Sequence, residues 1–223
     1  MFALKRIREK IWHLHFDTQY DLTMHFLRYQ EYYESPKFMK KSVQIVDIMD
    51  WYQKNLGKGV FTYPRDWSGF NFPGEKIFEL HNKGIEDINR YDRLMLGIAE
   101  FIRSKDNIDE FYIIGTSLDD PAANETFNHE LAHGLFYSNE DYKNKMTKLV
   151  CDMPKKEKSF LFRKLKKMGY SADFFIDECQ AYLGTGLDPQ LDNEQVREAV
   201  PSFEKIFSKF SKGIRKKVIK EKE

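Results

Sequence analysis

Phe111-Tyr112-Ile113-Ile114 is aromatic and β-branched throughout and ends at Gly115, which reads as a strand. A loop from Thr116 to Pro121 leads into a helical pattern from about Ala122 to Tyr137. This strand-to-helix unit sets the frame for the chain, because everything around it reads mostly helical. The fold class expected is α+β, predominantly helical, with a small β-sheet and a helical C-terminal half.

The first forty residues read mostly helical, with Leu4, Ile7, Ile11 and Leu14 at helical spacing, until Ser35-Pro36 interrupts them. A helix is expected over Ser42 to Lys54. Residues 57 to 76 carry four Gly and two Pro among Phe61, Tyr63, Trp67, Phe70 and Phe72, an aromatic loop or irregular strand region. An amphipathic helix follows over Ile85 to Ser104. After the central unit come helices over Asn139 to Met153, Pro154 to Met168 and Ser171 to Leu183, stopped by Gly169 and Gly184. The remainder reads as a basic helical run, dense in Lys and Arg from Lys205 to Glu223. One domain over 1–223 is expected, with an aromatic-rich N-terminal portion (1–80), a central core (81–190) and a basic helical tail (191–223).

Composition removes several function classes. No apolar run approaches the ~20 residues of a membrane helix, so no transmembrane segment is expected. The 36 basic and 35 acidic residues leave a net charge of +1, which argues against a nucleic-acid or membrane field over the whole protein. Cys151 and Cys179 lack the spacing of a zinc ribbon or a redox pair. Two reduced thiols and no visible signal peptide point to the cytoplasm.

Chemistry concentrates in Glu125-Thr126-Phe127-Asn128-His129-Glu130-Leu131-Ala132-His133-Gly134, which contains H-E-x-x-H and two of the six histidines. Residues four apart on a helix stack on one face, so His129 and His133 can bind one zinc ion from the same side. Glu130 shares that side and can reach a metal-activated water. Catalytic zinc needs a third protein ligand and an open position. The extended H-E-x-x-H-x-x-G-x-x-H pattern is absent, since Phe136 and Asn139 occupy its later positions.

Helix 171–183 offers Asp173, Asp177 and Glu178. Asp173, Asp177 and Gln180 line a polar face and read as solvent-exposed. Glu178 falls in the apolar stripe Phe175, Glu178, Cys179, Tyr182, where a carboxylate is costly unless paired or metal-bound. Glu178 is therefore the expected third ligand, with a salt bridge to a lysine as the plain alternative. His13 and His15, two apart, would diverge on a helix and are not expected to be ligands.

His129-Glu130-Leu131-Ala132-His133 followed by Asp177-Glu178-Cys179-Gln180-Ala181-Tyr182 resembles the gluzincin group of zinc metallopeptidases. The resemblance covers roughly residues 108–185 and rests on these two motifs. It implies a zincin-like core, Zn2+ held by His129, His133 and Glu178, and Glu130 as general base. In gluzincins whose third ligand lies in N-E-x-x-S-D, an Asp four residues on supports a histidine; Tyr182 stands there in this chain. The blocks Tyr29–Ser35 and Asp66–Asn71 carry no such resemblance. Tyr182, one turn from Glu178, is the candidate donor to a tetrahedral oxyanion. Glu125 could hold a ligating histidine or stand in solvent. Resemblance to zincins also lets the strand Phe111 to Ile114 bind a substrate peptide by strand addition, or be a buried interior strand.

The function expected is a zinc-dependent metallopeptidase acting on a peptide or protein substrate. The alternative is a non-catalytic metal-binding regulatory or protein-interaction protein that retains the site. A nucleic-acid binder using 155–167 and 205–223 is disfavoured by the overall neutrality.

Overall fold

The computed structural model describes residues 1–214. The chain opens with two strands, not a helix. β1 (Phe2–Arg8) turns back through Lys10, whose φ of 62° is left-handed, into β2 (Ile11–Phe16). The period of two wins here: Trp12, Leu14 and Phe16 enter one core, while Ile11 enters another on the opposite side. Four apolar residues at helical spacing could not outweigh an aromatic and β-branched run that finds strand partners.

α1 (Gln19–Glu34) starts at Thr18, whose hydroxyl accepts from the Asp21 N–H at 3.1 Å, and stops at Ser35-Pro36 as expected. The contiguous run Leu22 to Gln30 is buried, so this helix is enclosed on most of its circumference. α2 (Ile45–Asn55) follows. The aromatic segment 57–76 holds α3 (Tyr63–Asp66) and β3 (Phe70–Pro73), and α4 (Glu75–Lys83) starts near its end. α5 (Arg90–Asp106) begins at Arg90, not Ile85, because Asn89 and Asp92 form a reciprocal capping box.

β4 (Tyr112–Ser117) runs through Gly115 instead of ending there. Gly115 faces α1, where a Cβ would press on Leu22 and Phe26 at 2.6 Å. The sheet order is β1-β2-β4-β3, with β2 and β4 parallel and the other pairs antiparallel. β4 thus has a partner on each side, which overturns strand addition at Phe111–Ile114. β3 brings the N-terminal portion into the same sheet, with Asn71 opposite Ile114.

The described residues after β4 are helical: α6 (Ala123–Ser138), α7 (Glu140–Asp152), α8 (Lys155–Met168), α9 (Phe175–Thr185) and α10 (Glu194–Phe210). A 3-10 turn at Ala172–Phe174 stands where one helix from Ser171 was expected. The sheet separates two apolar cores. One joins Trp12, Phe16, Phe26, Tyr29 and Ile113 to α2, α4 and α5. The other joins Ile11, Tyr112 and Ile114 to α6 through α10.

The first core also encloses a charge. Arg28 on α1 lies 3.0 Å from Asp92, 2.9 Å from Asp87 and 2.8 Å from the Val43 carbonyl. Among the described residues no helix is long and apolar enough to cross a membrane. The part of the basic run from residue 215 onward lies outside the described residues.

Candidate metal centre

α6 and α9 pack against each other and set the site. Phe127, Leu131 and Leu135 of α6 join the second core, and the same helix turns His129, Glu130 and His133 toward its border. α9 is seated by Phe175, Cys179 and Leu183, which leaves Asp177 and Glu178 facing α6.

The structure brings together His129, His133 and Glu178, the three residues singled out as ligands. Their ligand atoms all lie within 4.8 Å of one another. The two Nε2 atoms are 3.2 Å apart. Glu178 Oε1 is 3.7 Å from His133 Nε2, and Oε2 is 3.9 Å from His129 Nε2. Tetrahedral zinc at ordinary bond lengths spaces its ligand atoms by about 3.3 Å. The imidazole pair already meets that spacing, and the carboxylate stands wider, with a different oxygen nearest to each nitrogen.

Glu178 Oε2 is buried with no hydrogen-bond partner, although the side chain is only 4% exposed. A buried carboxylate oxygen without a partner is costly, and a cation between it and the two imidazoles would satisfy it. Burial pushes the Glu178 carboxyl well above its usual range, against the pull of His133. The expected alternative, a lysine salt bridge to Glu178, is absent among the described residues.

Asp177 corrects the sequence reading. It does not stand in solvent: Oδ1 lies 2.9 Å from His133 Nδ1 and accepts from Gln180 Nε2 at 2.9 Å. Gln180, also expected to be exposed, is fully buried and accepts from Tyr142 O–H at 2.8 Å. The polar stripe of α9 is turned onto α6 and α7, and a solvated stripe and a buried hydrogen-bonded one look alike in a single sequence. With Nδ1 held by Asp177, His133 turns Nε2 toward the cluster, and that nitrogen would offer its lone pair to a cation that displaces its proton. Burial disfavours the charged His133 ring, but Asp177 and Glu178 outweigh it and lift its pKa to about 10. Burial and the charge of His133 hold His129 well below its ordinary value. Glu125 is exposed, so the carboxylate on a histidine belongs to Asp177.

Glu130 is buried beside the cluster, and burial raises it to about 7 against the pull of His133 and Asn71. Its Oε2 accepts from Asn71 Nδ2 at 2.6 Å. The Tyr182 ring lies tilted against His129, centroids 4.5 Å apart, and its hydroxyl meets that of Tyr170 at 2.9 Å. Sequence reasoning missed Tyr170, Asn71, Gln30 and Glu34. Gln30 and Glu34 lie in α1, Asn71 in β3, so only tertiary packing brings them here.

Aromatic contacts close the front of the site. Trp67 meets Tyr170 at 6.1 Å and Tyr33 meets Phe174 at 4.9 Å, linking the N-terminal portion to the segment before α9. Of the three candidate ligands, His129 is 20% exposed and the other two under 5%, so the approach to the cluster runs past His129.

His13 and His15 do not diverge, because they lie on a strand. They share one face and both contact Thr116 Oγ1, at 2.8 and 2.9 Å. They belong to no metal-ligating group among the described residues. Cys151 and Cys179 are both free thiols, the second buried.

Fold and site together define an α+β protein with, among the described residues, one candidate metal centre between two helices. No protein-family model, curated protein or solved structure matches the chain.

Proposed function

We propose that this chain is a zinc-dependent metallopeptidase with a zincin-like core of gluzincin type. The observation that carries the reading is the unpartnered, buried Glu178 Oε2 set against two imidazole Nε2 atoms, one of them fixed by Asp177. His129, His133 and Glu178 would hold the ion. Zinc bound there would supply Lewis acidity, polarising a substrate carbonyl and lowering the pKa of a water molecule.

The remaining steps belong to the protein. Glu130 takes a proton from the attacking water at its carboxylate and hands it to the leaving amine. The Tyr182 hydroxyl, held by Tyr170, is the candidate donor to the oxyanion. Asp177 holds the His133 ring and does not touch substrate. The substrate class is a peptide or protein, and the two free thiols suit a reducing cytoplasm.

The test is zinc content of the purified protein beside Glu178→Ala, and hydrolysis of a peptide pool by wild type beside Glu130→Gln. Near-stoichiometric zinc lost in Glu178→Ala, with Glu130→Gln keeping zinc and losing hydrolysis, supports the reading. No zinc after reconstitution rejects it. One observation favours a second reading, a non-catalytic metal-binding regulatory protein: Glu130 is covered by the N-terminal portion and the cluster is nearly closed. That reading requires metal-dependent partner binding that survives Glu130→Gln.

A further inference from the structure

The two blocks outside the motif resemblance, Tyr29–Ser35 and Asp66–Asn71, meet at Asn71, beside Glu130. Asn71 reaches it from β3, with Nδ2 2.6 Å from Glu130 Oε2. The Asn71 amide cannot turn over freely. Tyr112, fully buried on β4, donates its hydroxyl to Asn71 Oδ1, which leaves only the NH2 edge for Glu130. In the flipped orientation a carbonyl oxygen would face a carboxylate oxygen.

The Asn71 backbone is held as well. Its N–H points off the sheet edge and donates to Gln30 Oε1 at 3.1 Å. Gln30 is oriented in turn by donating Nε2 to Glu34 Oε1 at 2.6 Å. Gly69, at the entrance to β3, lies against the other oxygen of Glu130; a Cβ there would collide with Oε1 and with the Thr126 methyl. One oxygen is therefore held by an amide of fixed sense, and the other has its space only because residue 69 lacks a side chain.

We propose that Asn71 is a positioning residue for Glu130, oriented by Tyr112 and Gln30, so that the N-terminal portion sets the direction of the carboxylate that α6 supplies. This rests on the metallopeptidase reading for its consequence in catalysis, and on the hydrogen bonds alone for its geometry. A residue acting this way works through Glu130, so its loss should matter only while Glu130 is present.

The experiment is a double-mutant cycle on the zinc-loaded protein with fluorogenic peptides, repeated by visible absorption on the cobalt(II)-loaded protein. Asn71→Ala is expected to lower kcat about 10- to 100-fold with KM and metal content unchanged. Tyr112→Phe, which removes one oxygen and leaves the packing, is expected to lower kcat by up to about tenfold. In a Glu130→Gln background, Asn71→Ala should add nothing, and the cobalt bands should shift alike in the two single variants. Wild-type kcat in Asn71→Ala, or an equal further loss without Glu130, overturns the proposal. If Asn71→Ala fails to fold, unchanged kcat and cobalt bands in Tyr112→Phe overturn it. Absence of hydrolysis in every protein would sink the peptidase reading alone. The cobalt spectra then decide, and identical bands in wild type and Asn71→Ala overturn the positioning role.

Discussion

Asp177 Oδ1 lies 2.9 Å from His133 Nδ1, and this contact decides which ring nitrogen of His133 faces the cluster. The carboxylate is held by Gln180, which Tyr142 holds in turn, so the tautomer is set by a buried chain running from α7 to α6. Asp177→Ala is expected to weaken zinc binding about 10- to 100-fold. Competition against a chelator of known affinity measures this, and an unchanged affinity would show that the contact does not set the tautomer.

Glu178 contributes differently. Its Oε2 has no hydrogen-bond partner and its oxygens stand 3.7 and 3.9 Å from the two imidazole nitrogens, so burial offsets most of what the carboxylate gains until a cation is present. Glu178→Gln should lose zinc at concentrations that saturate wild type, while metal-free stability stays within about 1 kcal/mol of the parent. Paired chemical denaturation with and without zinc reads both quantities. A large loss of metal-free stability would assign Glu178 a structural role.

Arg28 is the prediction furthest from the site. It is 2% exposed and binds Asp92, itself 3% exposed, as well as Asp87 and the Val43 carbonyl. Arg28→Ala leaves a buried carboxylate without its counter-charge, and a loss of about 3–5 kcal/mol is expected. The urea midpoint reports it. A shift worth under about 1 kcal/mol would mean that the capping contacts of Asp92 carry the region without Arg28.

His13 makes stability depend on pH. Burial, then the charges of His15 and Lys5, hold its pKa down at about 3 from an ordinary 6.5. The unfolded chain thus takes a proton that the folded chain refuses. The stability involved is whole above pH 6.5 and is lost as pH falls toward 3, at about 1.4 kcal/mol per pH unit. With metal removed from both proteins, His13→Phe should lose less stability than wild type between pH 6.5 and 5. Parallel curves would show that His13 does not titrate between the two states.

What could be read in the sequence was local. The helix of His129, Glu130 and His133, the strand before it and the boundaries at Pro36 and Gly169 follow from periodicity and backbone stereochemistry acting over a few residues; Gly184 does not stop its helix, which runs through it to Thr185 and is capped by Gly186. Glu178 was legible because a carboxylate in an apolar stripe breaks the pattern of its own helix. The N-terminal hairpin was not, since Leu4, Ile7, Ile11 and Leu14 satisfy a helical spacing too, and only pairing with β4 selects the strand.

The tertiary structure alone decided how the site is supported. Asp177 and Gln180 look solvated in one dimension and are made partners of His133 by the packing of α9 on α6. Asn71 stands 59 positions before Glu130 and reaches it through the pairing of β3 with β4, and Gln30, 100 positions before, holds the Asn71 backbone because α1 packs against the sheet. Ligand spacing on one helix is a property of 3.6 residues per turn and can be counted along the chain. The groups that orient those ligands come from separate elements, and nothing but the burial of two cores on the faces of one sheet brings them together.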